Sequence, residues 1–244
     1  MQHILFCSGG KDSVASALIA KEKGEPLDAV AFCEVMFDEE TSGEHPLHRD
    51  FVYNTLQPFV VNELKVPFIV LRGAKTYKAF FEHAIASGTM KGKTAGFPIP
   101  GMCSIQRDCK TRVVDRFKRG KNLVEYVGIA ADEPKRIARL NGNKISLLEK
   151  YNYTEADAKK KCQEYGLLSP VYEVSKRNGC WFCMNCCDSE WVWLLKHRPD
   201  LFNKLCELEQ KHPERARICM TRTETPSQIK ERLEAIWKQI SFFD

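Results

Sequence analysis

Residues 1–24, MQHILFCSGGKDSVASALIAKEKG, decide how the rest of the chain is read. A short apolar run at 3–7 ends in Ser8, Gly9, Gly10, Lys11, Asp12 and Ser13. Residues 13–23 then carry Val14, Leu18 and Ile19 near helical spacing until Gly24 stops them, so the stretch reads as strand, loop and helix. Adjacent glycines allow close backbone approach. The amides of a helix N-terminus, the hydroxyls of Ser8 and Ser13 and the ammonium of Lys11 together suit a pyrophosphate. Asp12 adds a carboxylate of the kind that shares Mg²⁺ with phosphate oxygens. Two better-known phosphate loops are excluded. A Walker loop would need glycine where Leu5 stands and Ser or Thr where Asp12 stands, and the dinucleotide fingerprint needs a third glycine that is missing.

Outward from this loop, strands are expected at 28–36, 66–71 and 123–129. Helices are expected at 51–64, bent near Pro58, at 77–87 and at 111–119. Strands alternating with helices imply a doubly wound parallel sheet, in which ligands bind beyond the carboxyl ends of the strands. Asp132 and Glu133 follow the fourth strand directly and are expected to contact Mg²⁺, a ribose or a substrate hydroxyl, with Lys135 and Arg136 meeting phosphate. His45 and His48 sit in the polar stretch 37–48, from which they could approach the same crevice, but are expected to be solvent-exposed loop histidines. Residues 88–101, rich in glycine and proline, form a loop long enough to lie over a site. Residues 104–121 carry seven Lys and Arg against two Asp, a segment suited to nucleotide phosphates or a nucleic-acid backbone, or simply to a solvated helix face.

The 244 residues, 43% hydrophobic and 28% charged with a net charge of +5, are those of a globular protein with no repeat or low-complexity tract. The first residues have neither the length nor the flanks of a signal peptide, so a cytoplasmic protein is expected. Eleven cysteines then point to metal or redox chemistry rather than disulfides. After about residue 146 the pattern becomes helical, with Thr154 as an N-cap and further helices at 190–196, 200–211 and 226–239. The expected organisation is a nucleotide-binding α/β domain at 1–148 and a helical, cysteine-rich region at 149–244. Cys180, Cys183 and Cys186 are spaced by two residues, as in iron–sulfur and zinc sites. Cys103, Cys109 and Cys162 are the candidates for a fourth ligand. Cys7, Cys33 and Cys206 are expected to pack in cores.

Residues 8–13, SGGKDS, resemble the SGGxDS loop of the PP-loop superfamily, the N-type ATP pyrophosphatases and their sulfonucleotide reductase relatives. The blocks VMFDEETSGEHPLHRDFV, CSIQRDCK, GIAADEPKR and SPVYEVSKRNGCWFC resemble the phosphoadenosine phosphosulfate reductase-like proteins of bacteria and phages. The resemblance implies an adenine nucleotide α-hydrolase-like doubly wound parallel sheet whose loop grips the β- and γ-phosphates of ATP. A substrate oxygen attacks the α-phosphorus, pyrophosphate leaves, and the adenylated substrate is open to a sulfur or nitrogen nucleophile. Sulfur-transferring relatives often hold a [4Fe–4S] cluster, and deazaguanine synthases hold Zn²⁺ on Cys-x2-Cys-x2-Cys. The reductases' terminal Glu-Cys-Gly-[Ile/Leu]-His motif is missing; the last cysteines stand in KLCELE and RICMTR.

The resulting expectation is an enzyme that cleaves ATP to AMP and pyrophosphate to adenylate a substrate, for sulfur transfer, with Mg²⁺ and a cysteine-bound [4Fe–4S] cluster or Zn²⁺. Lys11, Asp12, Asp132 and Glu133 carry the chemistry. Ser8, Gly9, Gly10, Ser13, Arg107, Lys110, Arg112 and Arg136 help hold the nucleotide. A sulfonucleotide reductase with a displaced cysteine and a nucleotide-responsive nucleic-acid-binding module are the alternatives. The acceptor stays open among tRNA, DNA and a small molecule, and no membrane partner is expected.

Overall fold

The computed structural model describes residues 1–99 and 103–240. Along the chain run β1 (Gln2–Phe6), α1 (Lys11–Lys23), β2 (Ala29–Glu34) and α2 (Pro46–Phe51). A π-helical turn, Val52–Leu56, joins α2 to α3 (Gln57–Asn62), and β3 (Phe68–Arg72) and α4 (Tyr77–Glu82) follow. A second π-helical turn, Gln106–Thr111, leads into α5 (Arg112–Lys118), β4 (Leu123–Tyr126), α6 (Pro134–Ile137) and β5 (Lys144–Ile145). The remainder is helical: α7 (Leu147–Lys150), α8 (Glu155–Glu164), a 3-10 turn at Pro170–Glu173, α9 (Asp188–His197), α10 (Pro199–Lys211) and α11 (Pro226–Ile240). Packing divides the described residues into two compact units that interleave along the sequence. Met1–Glu34, Glu44–Arg72 and Lys110–Asn178 form the first, and Val35–Gly43, Gly73–Cys109 and Gly179–Asp244 the second.

The first unit is α/β, a five-stranded all-parallel sheet in the order β3-β2-β1-β4-β5 flanked by helices. Its central strands alternate between two apolar faces. Leu5, Val30, Phe32, Val124 and Tyr126 join α1 in the larger core, while Ile4, Ala29, Ala31 and Leu123 meet Phe117 of α5 on the opposite face. Strands covered on both faces are apolar throughout, which is why AVAFCE reads as a continuous run. Helix α1 is buried from Ser13 to Ala20, more completely than a one-sided stripe of Val14, Leu18 and Ile19 suggests, and it packs against α7 and α8. Gly24 ends it in a left-handed conformation (φ 64°), its N–H donating to Ala20 O. Thr154 and Asp157 close a capping box at the start of α8.

Three local departures from the sequence reading have physical causes. Strand β5 is two residues long and lacks an apolar run to announce it. Helix α2 begins at Pro46, ahead of the expected start, because proline suits a first helical turn. The bend expected near Pro58 is a π-helical turn just upstream, with Pro58 in the first turn of α3.

The second unit is built on an aromatic core of Tyr77, Phe81, Phe97, Trp181, Trp191 and Phe202, with α10 packed on α9 and α11. Part of the Gly/Pro-rich segment is pinned within it by bridges from Ala84 to Thr94 and from Gly96 to Arg217. Gly96 takes a φ of 78°, and a Cβ there would lie 2.4 Å from the Arg217 carbonyl oxygen, so no other residue fits. Among the described residues no helix is long and apolar enough to cross a membrane.

Leu18 is fully buried between sheet and helices. Leu18→Ala is therefore expected to cost about 3 kcal/mol in urea unfolding, and a loss below about 1 kcal/mol would contradict the packing given to α1.

Candidate functional site

The loop that leaves β1 turns directly into α1. Gly9 is left-handed (φ 75°), and a Cβ on it would stand 2.8 Å from His48 Cε1. A Cβ on Gly10 would stand 2.8 Å from Asn178 Oδ1. Gly9 is therefore required by conformation and close approach, while a side chain at Gly10 would displace the Asn178 amide. Beyond β4, Gly128 presses on the first turn of α1, where a Cβ would lie 2.6 Å from Ser13 N. In that turn the amides of Lys11, Asp12 and Ser13 have no partner inside the helix, and Lys11 N donates to Tyr172 OH at 3.1 Å. Ser13 Oγ donates to Gly10 O at 2.9 Å and lies 3.4 Å from Ser8 Oγ. The result is a tightly packed turn at the carboxyl end of the central strand, with the Asp12 and Ser13 amides at the N-terminus of α1 and the Ser8 and Ser13 hydroxyls beside each other.

His45 and His48 are not exposed loop histidines: both are buried, at 2% and 0% exposure. His48 lies on α2, and its Nε2 donates to Ser8 O at 2.8 Å while its Nδ1 accepts from Ser169 Oγ at 2.9 Å. A carbonyl can only accept, so the ring is held as the neutral Nε2–H tautomer. Burial pushes its pKa below the usual histidine range, and Lys110 adds to this while Glu44 and the bond to Ser8 oppose it. Asn178 Nδ2 makes the second bond to Ser8 O, at 3.2 Å. Ser169, Tyr172 and Asn178 were not assigned to the site from the sequence, although all three lie in the block SPVYEVSKRNGCWFC, and His48 was read as exposed.

Four expected residues come together beside this loop. Lys11 Nζ pairs with Asp12 Oδ1 at 2.9 Å and with Glu155 Oε1, unforeseen at the start of α8, at 3.2 Å. Asp132 Oδ1 accepts from Glu155 N at 3.0 Å, which ties the segment after β4 to α8. Glu133 accepts from Ala130 N and pairs with Arg136 at 2.7 Å. Burial raises the Asp12 pKa, Lys11 opposes the rise, and the charges of Glu155 and Glu133 add to it. Lys110 is engaged elsewhere in the same unit, on the buried carboxylate of Glu44 at 3.1 Å. Arg112 opens α5 on an exposed position. Arg107 belongs to the second unit, where it is exposed and paired with Asp108 at 2.9 Å.

No protein-family model, curated protein or solved structure matches the chain. The chemistry of the cysteines is accordingly read from their surroundings. Cys162 lies in the first unit, donating its thiol to Lys11 O at 3.2 Å, and burial pushes it up to about 12. Cys7 is buried beneath the loop with its thiol 3.4 Å from Ser13 Oγ, and Cys33 is half-buried. In the second unit Cys109 donates to Lys75 O at 3.2 Å and is pushed up to about 11 by burial. Cys180, Cys183 and Cys186 lie on successive turns, Cys183 N donating to Cys180 O and Cys186 N to Cys183 O at 3.1 and 3.0 Å. Cys187 instead caps α9, its backbone N–H donating to Glu190. Among the described residues no three Cys, His, Asp or Glu side chains are gathered as metal ligands. One polar group in this unit does lack a partner among the described residues: the Tyr77 hydroxyl, fully buried, whose pKa is raised well above the tyrosine range by burial and then by Cys183, Cys180 and Cys103.

Because the folded state refuses a proton at His48 that the unfolded chain accepts, stability is expected to fall as pH drops below about 6.5. The slope is bounded by one proton, about 1.4 kcal/mol per pH unit, and is read above about pH 5, where carboxylates begin to titrate. Urea midpoints measured across this range should show that limb in the wild type and a flatter profile in His48→Gln; identical profiles would remove the buried neutral histidine.

Proposed function

We propose that the protein is an ATP-binding enzyme of the PP-loop type, with an adenine nucleotide α-hydrolase-like first unit, that transfers the adenylyl group of ATP to a substrate oxygen and releases pyrophosphate. The observation that carries this reading is the clasp on residues 8–10: a left-handed Gly9 packed on His48, a Gly10 packed on the Asn178 amide, and a Ser8 carbonyl bonded by both His48 and Asn178. A turn held this firmly, with its free amides at the helix N-terminus, suits the β- and γ-phosphates. Its dipoles need no rearrangement as charge grows on the departing pyrophosphate.

In this mechanism Lys11 exchanges its carboxylate partners for phosphate oxygens when the triphosphate enters. Ser8 and Ser13 supply hydroxyl donors, and Tyr172 keeps the first turn of α1 in place. Asp12, in the first turn of α1, is the carboxylate that would share a divalent cation with the phosphate oxygens. Mg²⁺ bound to Asp12 would neutralise triphosphate charge. Asp132 acts by fixing α8, and through it Glu155, against the loop.

The cysteine centre belongs to the same reading. Cys103, Cys180, Cys183 and Cys186 are its assigned ligands, and the orphaned hydroxyl of Tyr77 beside three of them is the feature that favours an added group there. Cys162 is set aside because it belongs to the first unit, and Cys109 because burial pushes its thiol up to about 11 while it donates to Lys75 O at 3.2 Å. When bound, an iron–sulfur cluster would supply electrons or sulfur, and zinc would supply a structural cross-link. Cytoplasmic function with a nucleotide and a small-molecule or nucleic-acid acceptor completes the proposal.

Lys11→Ala is expected to lower pyrophosphate release from ATP by about 100-fold or more with an unchanged thermal melt. Unchanged turnover would remove the loop from the chemistry. Anaerobically purified protein should carry iron with acid-labile sulfide, or stoichiometric zinc, and lose it in Cys183→Ser; metal-free wild type would end the assignment of the centre.

A further inference from the structure

The carboxyl end of β2, next to the phosphate loop in the sheet, holds a charge cluster that the mechanism above does not use. Glu34 is the last residue of β2 and its side chain is 0% exposed. It faces Arg72, the last residue of β3 and its register partner, whose Nη2 lies 2.6 Å from Glu34 Oε2. Arg49 of α2 reaches the other oxygen, Nε to Oε1 at 3.3 Å. Tyr53, in the π-helical turn after α2, donates its hydroxyl to Oε2 at 2.6 Å and accepts from Arg72 Nη2 at 3.3 Å. The Arg49 guanidinium lies 5.0 Å from the centre of the Tyr53 ring.

Two features of this cluster go beyond neutralising a buried acid. Among the described residues its charge does not balance: the Glu34 carboxylate is paired with the guanidiniums of both Arg49 and Arg72. The cations are also turned outward. Arg49 and Arg72 are 45% and 52% exposed while the acid beneath them is sealed, and among the described residues both Nη atoms of Arg49 and Nη1 of Arg72 make no hydrogen bond. A buried carboxylate that takes Nε of both guanidiniums and Nη2 of Arg72, and leaves both Nη atoms of Arg49 and Nη1 of Arg72, fixes a set of donors of the kind that receives phosphate. Location supports the same conclusion. In parallel sheets ligands bind at this edge, and helix α2 carries both His48, which holds the phosphate loop, and Arg49, its next residue. Two inter-strand spacings separate β1 from β3, about 10 Å.

We propose that Arg49 and Arg72, held on Glu34 at the carboxyl ends of β2 and β3, form a second phosphate subsite that receives a phosphate group of the acceptor. This assignment rests on the reading that the loop after β1 holds the triphosphate, and it narrows the acceptor to phosphate-bearing molecules.

The test is calorimetric titration of inorganic phosphate into the full chain already saturated with Mg²⁺ and pyrophosphate. One further phosphate is expected to bind, and Arg49→Gln should weaken it about tenfold while leaving pyrophosphate affinity unchanged. Lys11→Ala should do the reverse. Arg49→Gln is the deciding variant because Arg49 holds Glu34 by a single long bond, whereas Arg72→Gln strips the acid of its shortest partner and lowers stability. Absence of the second phosphate, or unchanged affinity in Arg49→Gln, overturns the subsite. If pyrophosphate fails to bind the wild type but phosphate binding still depends on Arg49, the loop reading fails and the subsite stands. Replacing phosphate with a dinucleoside monophosphate identifies the source. Equal affinity assigns a backbone diester, loss of binding assigns a terminal phosphate, and either result supports the subsite once Arg49 dependence is established.

Discussion

The carbonyl oxygen of Ser8 is where the first unit converges. It is the last polar atom before two glycines, and it receives His48 from α2 and Asn178 from the far end of the unit's last segment. Without these bonds the turn from β1 into α1 would be an ordinary Gly-Gly loop, free to populate many conformations at the cost that flexible glycines impose. With them, the amides of the first turn of α1 point in fixed directions. The sheet supplies the foundation: β1 is its central strand, and Gly128, beyond β4, presses so close to Ser13 that the start of α1 cannot shift toward it.

Much of this was legible from the chain because the physics involved is local. A strand, two glycines, a lysine and a helix form one continuous segment, and the apolar runs of β1, β2 and β4 announce a sheet buried on both faces. The partners of the loop were not legible, since His48, Asn178, Tyr172 and Glu155 lie 40 to 170 positions along the sequence from the Ser8 or Lys11 they bond, and no periodicity encodes such pairings. His48 shows the difficulty best. It sits in a polar stretch that reads as exposed, yet the short helix begun by Pro46 turns it inward, and its two nitrogens find a carbonyl and a hydroxyl that make burial tolerable.

The second unit was less legible for a different reason. Its core is made of aromatic residues scattered over three segments, so Tyr77 packs on Phe37 and Phe182 at centroid distances of 5.4 and 4.1 Å although they lie far apart in sequence. Spacing alone marked Cys180, Cys183 and Cys186 as neighbours on consecutive turns, and that much is local. Spacing could not separate Cys187, which serves the start of α9, or Cys162 and Cys109, whose thiols are spent on carbonyl groups.

A shared device runs through the charged residues of the first unit. Glu34 and Glu44 are both sealed from solvent, and each holds a cation that is not: Arg49 and Arg72 on the first, Lys110 on the second. Removing a carboxylate from water is expensive, and hydrophobic replacements for such pairs are often no less stable. What the buried acid provides is direction. A cation hydrated on a flexible stem must be reorganised each time an anion arrives, whereas one held from beneath presents its remaining donors at a fixed place. Lys11 differs, because its partners Asp12 and Glu155 are themselves accessible and can release it. The unit thus contains cations that stay put and one that can change partners, a division suited to holding anions on both sides of a group in transfer.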